Sequence, residues 1–418
     1  MHMKKIIKAT DILLPKKNFD YSKWAVVACD QYTSEPEYWD DLTNYVGDAV
    51  STLNIIFPEV YLDRNADKRI EKINKTMKEY LENEIFYKLE NSFVLVERTT
   101  FDGKLRLGLV LACDLEEYDF SPDSKAAIKA TEGTVIDRLP PRVKIRENAL
   151  LELPHIMLLM DNRKCDILED LAKKCVEKDK LYDFELNKNG GRIKGYRISD
   201  TDEVISKIYG LADEKLQMET YGRLTDTLFT VGDGNHSLAS AKICWDNLKK
   251  NLSEEEKENH PARFALVELI NLHDENLVFE PINRVIFNIT TTEAEQMTKD
   301  FAAGDAMLEM VLNDKIYTIK VPSSAPDAIA MVQDYIDKLI RQNNNIKVDY
   351  VHGNSNTLAV AKKGKGMAVL MPTLKKEELF GYIIEKGVLP RKSFSMGEAN
   401  DKRYYLEAKL ITPNKELK

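Results

Sequence analysis

At 418 residues the chain can bury a sizeable core, enough for roughly two to three ordinary domains or one elaborated α/β domain. With 43% hydrophobic and 31% charged residues it lacks the low-hydrophobicity signature of disorder. A formal net charge of -9 argues against nucleic acid as a partner, and no run of about 18 apolar residues exists to cross a bilayer.

Near the N-terminus, Lys4 and Lys5 precede a broken apolar run without a small-residue cleavage site, so no secretory leader is expected. Residues 24–28 (Trp-Ala-Val-Val-Ala) read as a short apolar strand that empties into a polar loop. Helices are predicted over 36–46 and 66–84, the second with Ile70, Ile73, Met77 and Leu81 at helical spacing. Strands at 92–97 and 104–112 flank the Asp102-Gly103 turn and predict a hairpin. A strand over 156–160 places Asp161 where open α/β sheets carry functional side chains. A second hairpin is predicted over 181–186 and 192–198 around Asn189-Gly190-Gly191, followed by a long helix over 202–222 and a strand at 227–231. Beyond about Asn288, helices are expected over 291–301, 325–341 and 376–386, with strands at 316–321, 348–351 and 367–370. The expected fold class is α/β with a mixed sheet. A boundary near Asn288 divides a nucleotide- or phosphate-binding core, 1–288, from a C-terminal α/β region, 289–418, packed on it.

The five cysteines, Cys29, Cys113, Cys165, Cys175 and Cys244, are scattered without a C-x-x-C pair, which fits a reducing compartment and a cytoplasmic protein. No histidine and carboxylate spacing forms a metal-ligand set, and His155, His273 and His352 stand alone.

The chemistry concentrates at Asp233-Gly234-Asn235-His236-Ser237. A short apolar run, Leu228-Phe229-Thr230-Val231, precedes it, and Leu238, Ala241, Trp245 and Leu248 recur behind it at helical spacing. The pattern is strand, tight turn, amphipathic helix. A helix start has unbonded N–H groups and the positive end of the macrodipole, so an anion there is stabilised without side-chain charge. Gly232 and Gly234 let a phosphate approach the backbone, while Asn235, His236 and Ser237 supply side-chain donors. A bare capping turn explains the same pattern, but four polar groups in five residues exceed what a cap requires.

The sequence resembles the family catalogued as domain of unknown function 1015 over nearly its whole length. The resemblance is carried by the segment from Trp24 to Ser34, by Ala130 to Arg138 with Pro140-Pro141-Arg142, and by Glu152-Leu153-Pro154-His155. It continues through Asp233-Gly234-Asn235-His236, Ala265 to Glu268, Pro281-Ile282-Asn283-Arg284 and Leu389 to Ala399. Other branches of that family carry Asp-Gly-His-His-Arg at the central loop, and this chain departs from them with Asn235 and Ser237. The Asp-Gly-His-His-Arg form in turn resembles the phosphate loop of free-serine kinases in the ParB/sulfiredoxin-like superfold. That resemblance implies a ParB/sulfiredoxin-like nucleotide-binding core, ADP or ATP with Mg²⁺ as cofactors, and phosphate transfer to or from serine.

Arg138, Arg142 and Arg146 recur every four residues, and Pro140-Pro141 predicts a bent, non-helical segment from which they converge on one anion. Asp30, Glu35 and Glu132 are candidates for a catalytic base or for a Mg²⁺ ligand through water, with His236 as a further catalytic candidate. Lys392 belongs to a second basic cluster with Arg391, Lys402 and Arg403 that reaches the site or faces solvent. The leading expectation is a phosphotransferase acting between an adenine nucleotide and free serine or phosphoserine. The alternatives are a nucleotide-binding regulatory protein of ParB-like type and a phosphatase. Oligomeric state is left open.

Overall fold

A strand covered on both faces must be apolar at nearly every position, and Phe264–Asn271 is buried along its whole length. Its side chains alternate between two cores: Ala265, Val267 and Leu269 enter one, and Leu266 enters the other. Leu105–Asp114 divides in the same way, Leu109, Leu111 and Cys113 to the first core and Val110 to the second. Each such side chain contributes about 1.5–3 kcal/mol on burial, so both layers are needed to hold the sheet.

The computed structural model of the chain describes residues 5–413. Among these, an 11-stranded sheet runs in the order Tyr118–Asp119, Ile128–Ala130, Phe229–Asp233, Met157–Met160, Phe264–Asn271, Leu105–Asp114, Phe86–Thr99, Arg192–Ile198, Lys180–Glu185, with two short strands off this path. Phe264–Asn271 lies parallel to Met157–Met160, and Phe229–Asp233 parallel to Ile128–Ala130. Phe229–Asp233 is antiparallel to Met157–Met160. The fold is therefore mixed α/β, as expected.

Both predicted hairpins form. So do the helices Pro36–Val46 and Ala66–Glu82, the latter burying Ile70, Ile73, Met77 and Tyr80. Three local expectations are corrected. Residues 24–28 are not a regular strand: Tyr21–Trp24 is a helical turn capped by the Asp20 side chain. The extended residues behind it pair with the C-terminal segment through a single bridge, Val27 with Arg403. The long helix over 202–222 is broken into Thr201–Tyr209 and Glu214–Tyr221, the second restarted by the Asp213 carboxylate, which accepts from Leu216 N at 3.0 Å. Pro140-Pro141 does not forbid a helix, because both prolines fall in the first turn of Leu139–Arg146, where an N–H has no partner to lose.

The chain forms two compact units. The first comprises residues up to 130, 134–277 and the segment from Glu398 onward, and the second comprises 131–133 and 278–397. The second unit has its own antiparallel sheet, in which Phe279–Phe287 pairs with Lys347–His352, Met367–Val369 and Phe394–Met396. Its helix Ala325–Gln342 buries Ile329, Val332 and Ile336. Phe279–Phe287, Ala306–Leu312 and the helix Asn354–Gly364 were not among the predicted elements. No helix among the described residues is long and apolar enough to cross a membrane.

Candidate functional site

The strand Phe229–Asp233 and the helix Asn235–Leu248 are joined by one residue, Gly234. Its φ of +80° lies in the left-handed region, and a Cβ there would stand 3.0 Å from Ile156 Cα. Conformation and space both demand glycine. The Asp233 carboxylate accepts from Gly234 N at 2.8 Å and fixes the turn. The helix is anchored from below by Leu238, Ala241 and Trp245, and Trp245 Nε1 donates to Glu116 at 2.6 Å. Its first backbone bond runs from Leu238 N to Gly234 O at 3.0 Å, so the amides of Asn235 and Ser237 have no acceptor within the helix.

Through-space neighbours complete the cradle. The segment from Glu398 onward runs beside 26–28, with Ala28 N donating to Lys402 O at 2.8 Å and Tyr404 N to Val26 O at 2.9 Å. That placement sets Lys402 Nζ 2.9 Å from Asp233 Oδ2, with 17% and 22% of the two side chains exposed to solvent. His155 Nε2 lies 2.8 Å from Ser237 Oγ, and its ring meets the Tyr404 ring edge-on at 5.0 Å. Asp30, in the turn behind 25–28, accepts from Gln31 at 2.9 Å. Burial would raise its pKa, but His155, the Gln31 bond and Lys402 outweigh burial and hold the carboxyl below its ordinary value. Glu59 N donates to Cys29 O at 2.8 Å, which brings the Glu59 carboxylate within the influence of Asp30 and into an ion pair with Arg142. Burial raises the Glu59 pKa against the pull of Arg142.

The candidate residues thus fall into two groups. Asp30, Arg142 and the loop from Asp233 to Ser237 belong to one neighbourhood of the first unit; the helix carrying Arg142 packs on the helix behind the loop, where Cys244 Sγ meets Val143 O at 3.7 Å. His236 is half-buried there, its carbonyl accepting from Ser240 Oγ at 2.7 Å. Asn235 Oδ1 is buried without a hydrogen-bond partner. The three arginines share no single partner. Arg138 is exposed and lends its carbonyl to Arg142 Nη1 at 2.6 Å, whereas Arg146 donates to the buried Glu152 at 2.5 Å. Glu152 is also held by Lys409 at 3.2 Å and Leu266 N at 2.8 Å. Glu35 is exposed at the head of Pro36–Val46 and makes no capping bond. Glu132 and Lys392 lie in the second unit, where the Glu132 carboxylate accepts from Lys392 N at 2.8 Å and Ser393 N at 2.9 Å.

Sequence reading missed Glu59, Tyr404 and the role of His155, while Lys402 stood in the basic cluster expected to reach the site or face solvent. His155 and Arg142 stood in segments that carry the family resemblance, which was the available signal. Glu59 and Tyr404 stood in none.

Asp161 lies at the opposite end of its strand from the cradle, since Met157 is the residue that faces Asp233. It accepts from His273 Nε2 at 2.5 Å and from Tyr221 OH at 2.7 Å. Asp161 and Tyr221 border a cleft of about 340 Å³. A roomier cleft of about 1130 Å³, bordered by Lys8, Asp11, Lys88 and Lys409, also lies away from the cradle. Among the described residues no three His, Cys, Asp or Glu side chains are grouped to hold a metal ion.

These features define a mixed α/β protein in which a single glycine joins the strand Phe229–Asp233 to the helix Asn235–Leu248. The chain belongs to the family described as protein of unknown function (DUF1015), whose model matches residues 13–384. No curated protein matches it. Among solved structures it is distantly similar to a conserved hypothetical protein from Pyrococcus furiosus, at 10% identity and TM-score 0.37, over 72% of this chain and 95% of that one. It is also similar to a free serine kinase variant in complex with ADP, at 10% identity and TM-score 0.40, over 74% and 95% of the two chains. A third likeness is to SbnI with C-terminal truncation from Staphylococcus aureus, at 8% identity and TM-score 0.36, over 69% and 82%.

Proposed function

We propose that the first unit is a phosphotransferase that moves phosphate between an adenine nucleotide and free serine or phosphoserine. The observation that carries this reading is the helix start at Asn235, where the amides of Asn235 and Ser237 have no acceptor within the helix, a glycine stands in place of any side chain at 234, and Lys402 is paired to Asp233 alongside. The choice of serine rests on the resemblance of the Asp-Gly-His-His-Arg form of this loop, from which the chain departs at Asn235 and Ser237, to the phosphate loop of free-serine kinases.

Phosphoryl transfer demands positioning and charge neutralisation more than covalent chemistry from the protein. The amides of Asn235 and Ser237 hold phosphate oxygens, and Lys402 and Arg142 offset their charge. Asp30, kept ionised by its surroundings, accepts the hydroxyl proton of serine. The donor set suits Mg²⁺, which takes one or two carboxylates and leaves its remaining positions to phosphate oxygens and water. Asp233 would hold it, and its chemistry would be to neutralise charge developing on the phosphate.

Purified protein with Mg²⁺, ADP and phosphoserine should produce ATP and serine, or run the reverse from ATP. His236→Ala combined with Arg142→Ala should lower turnover by about a hundredfold or more, as loss of preorganised donors does. Unchanged turnover in that variant would refute the site. Tight nucleotide binding without turnover would favour a regulatory role, and phosphate release without a nucleotide acceptor a phosphatase.

A further inference from the structure

Ser237 does not do what a serine at a helix start ordinarily does. A capping serine accepts an amide of the first turn, yet the N-cap position belongs to Gly234, and no side-chain cap is made. Ser237 Oγ instead meets His155 Nε2 at 2.8 Å. His155 is fixed edge-on against Tyr404, and its other nitrogen, Nδ1, is buried without a hydrogen-bond partner. The ring therefore has one polar outlet, which is the serine hydroxyl. Asp30 lies within electrostatic reach of the His155 ring. A carboxylate so placed stabilises the imidazolium that forms when a histidine takes a proton from a serine.

We propose that Ser237 is the nucleophile of a two-step transfer and carries the phosphoryl group between donor and acceptor, with His155 as its base. The proposal rests on the phosphotransferase reading and specifies its mechanism. In the first step Ser237 Oγ attacks the terminal phosphorus of ATP, the bond from phosphorus to the bridging oxygen breaks, ADP leaves, and the hydroxyl proton passes to His155 Nε2. In the second step the serine substrate's hydroxyl attacks phosphorus and gives its proton to Asp30, which releases it to solvent. The Ser237–phosphorus bond breaks, and Ser237 Oγ recovers the proton from His155. The sum is ATP and serine to ADP, phosphoserine and one proton. A phosphoserine at position 237 sits in the first turn of a 14-residue helix, at the positive end of its dipole.

The test uses the full-length protein with Mg²⁺. With ATP and labelled ADP but no serine, the wild type should exchange label between the two nucleotides. After acid quench it should also gain the mass of one phosphoryl group, mapped to Ser237. Ser237→Ala should lose exchange and adduct and slow turnover by roughly a thousandfold or more, while His155→Gln should slow adduct formation and exchange together. Thermal melting of both variants at the wild-type midpoint separates this outcome from misfolding, and Ser237→Cys supplies a second side chain if the alanine variant melts early. Steady turnover without exchange or adduct would overturn the covalent step and leave direct transfer, so the phosphotransferase reading would survive. A phosphoryl adduct at Ser237 without transfer to serine would support the covalent step and overturn the choice of acceptor. Neither turnover nor adduct would overturn both.

Discussion

Glu407 shows what a single buried carboxyl does to this molecule. Its Oε1 accepts from Tyr182 OH at 2.7 Å, while Oε2 is buried with no hydrogen-bond partner. Burial raises its pKa to about 7 from an ordinary 4.5. Between those values the folded protein holds a proton that the unfolded chain has released, so stability falls as pH rises from about 4.5 to about 7 and stays reduced above that. The loss at pH 8 relative to pH 4.5 is on the order of 3 kcal/mol. Glu407→Gln should remove most of that fall, which urea melts of both proteins across the range would register. Parallel pH profiles for the two proteins would contradict this account. Glu407 gave no signal in the sequence, because its burial depends on partners far along the chain. The loop at Asp233 to Ser237 was legible for the opposite reason, since one continuous stretch, 228–248, carried all of its pattern.

Among the elements, the strand-to-helix loop makes the narrowest demand. Gly234→Ala imposes a left-handed backbone on a residue with a side chain and brings Cβ to 3.0 Å from the Ile156 backbone. A cost of about 1–3 kcal/mol is expected, with turnover falling as the first-turn amides shift. A variant of wild-type stability and rate would show that the turn has other ways to form. Local pattern located most helices and both hairpins, where periodicity and turn residues agree. It failed where position within an element decides: the same Pro-Pro pair that would break a helix interior is tolerated in the first turn of Leu139–Arg146. The long helix over 202–222 was broken at Gly210 to Asp213, where glycine and an aspartate cap were present but outweighed by the apolar spacing on either side.

For the whole molecule, the segment from Glu398 onward belongs to the first unit although it follows the second in sequence. It buries Tyr404, Tyr405, Leu406 and Ala408 and delivers Lys402 to Asp233. At about 1.5–3 kcal/mol for each large apolar side chain, its removal approaches the entire stability of a typical domain, about 5–15 kcal/mol. A chain ending at Gly397 should therefore lose cooperative melting of the first unit and become sensitive to protease there. Retained cooperativity would contradict that assignment. No linker composition marks the return of this segment, which is revealed by its backbone pairing with 26–28, Leu13 and Leu150.

The central claim is that phosphate binds at the start of the helix Asn235–Leu248. Crystals soaked with ADP and phosphoserine test it most directly. The account predicts phosphate density within hydrogen-bonding distance of the Asn235 and Ser237 amides, with Lys402 turned toward it. Phosphates seated instead in the cleft beside Asp161 and Tyr221, with the helix start bare, would contradict it.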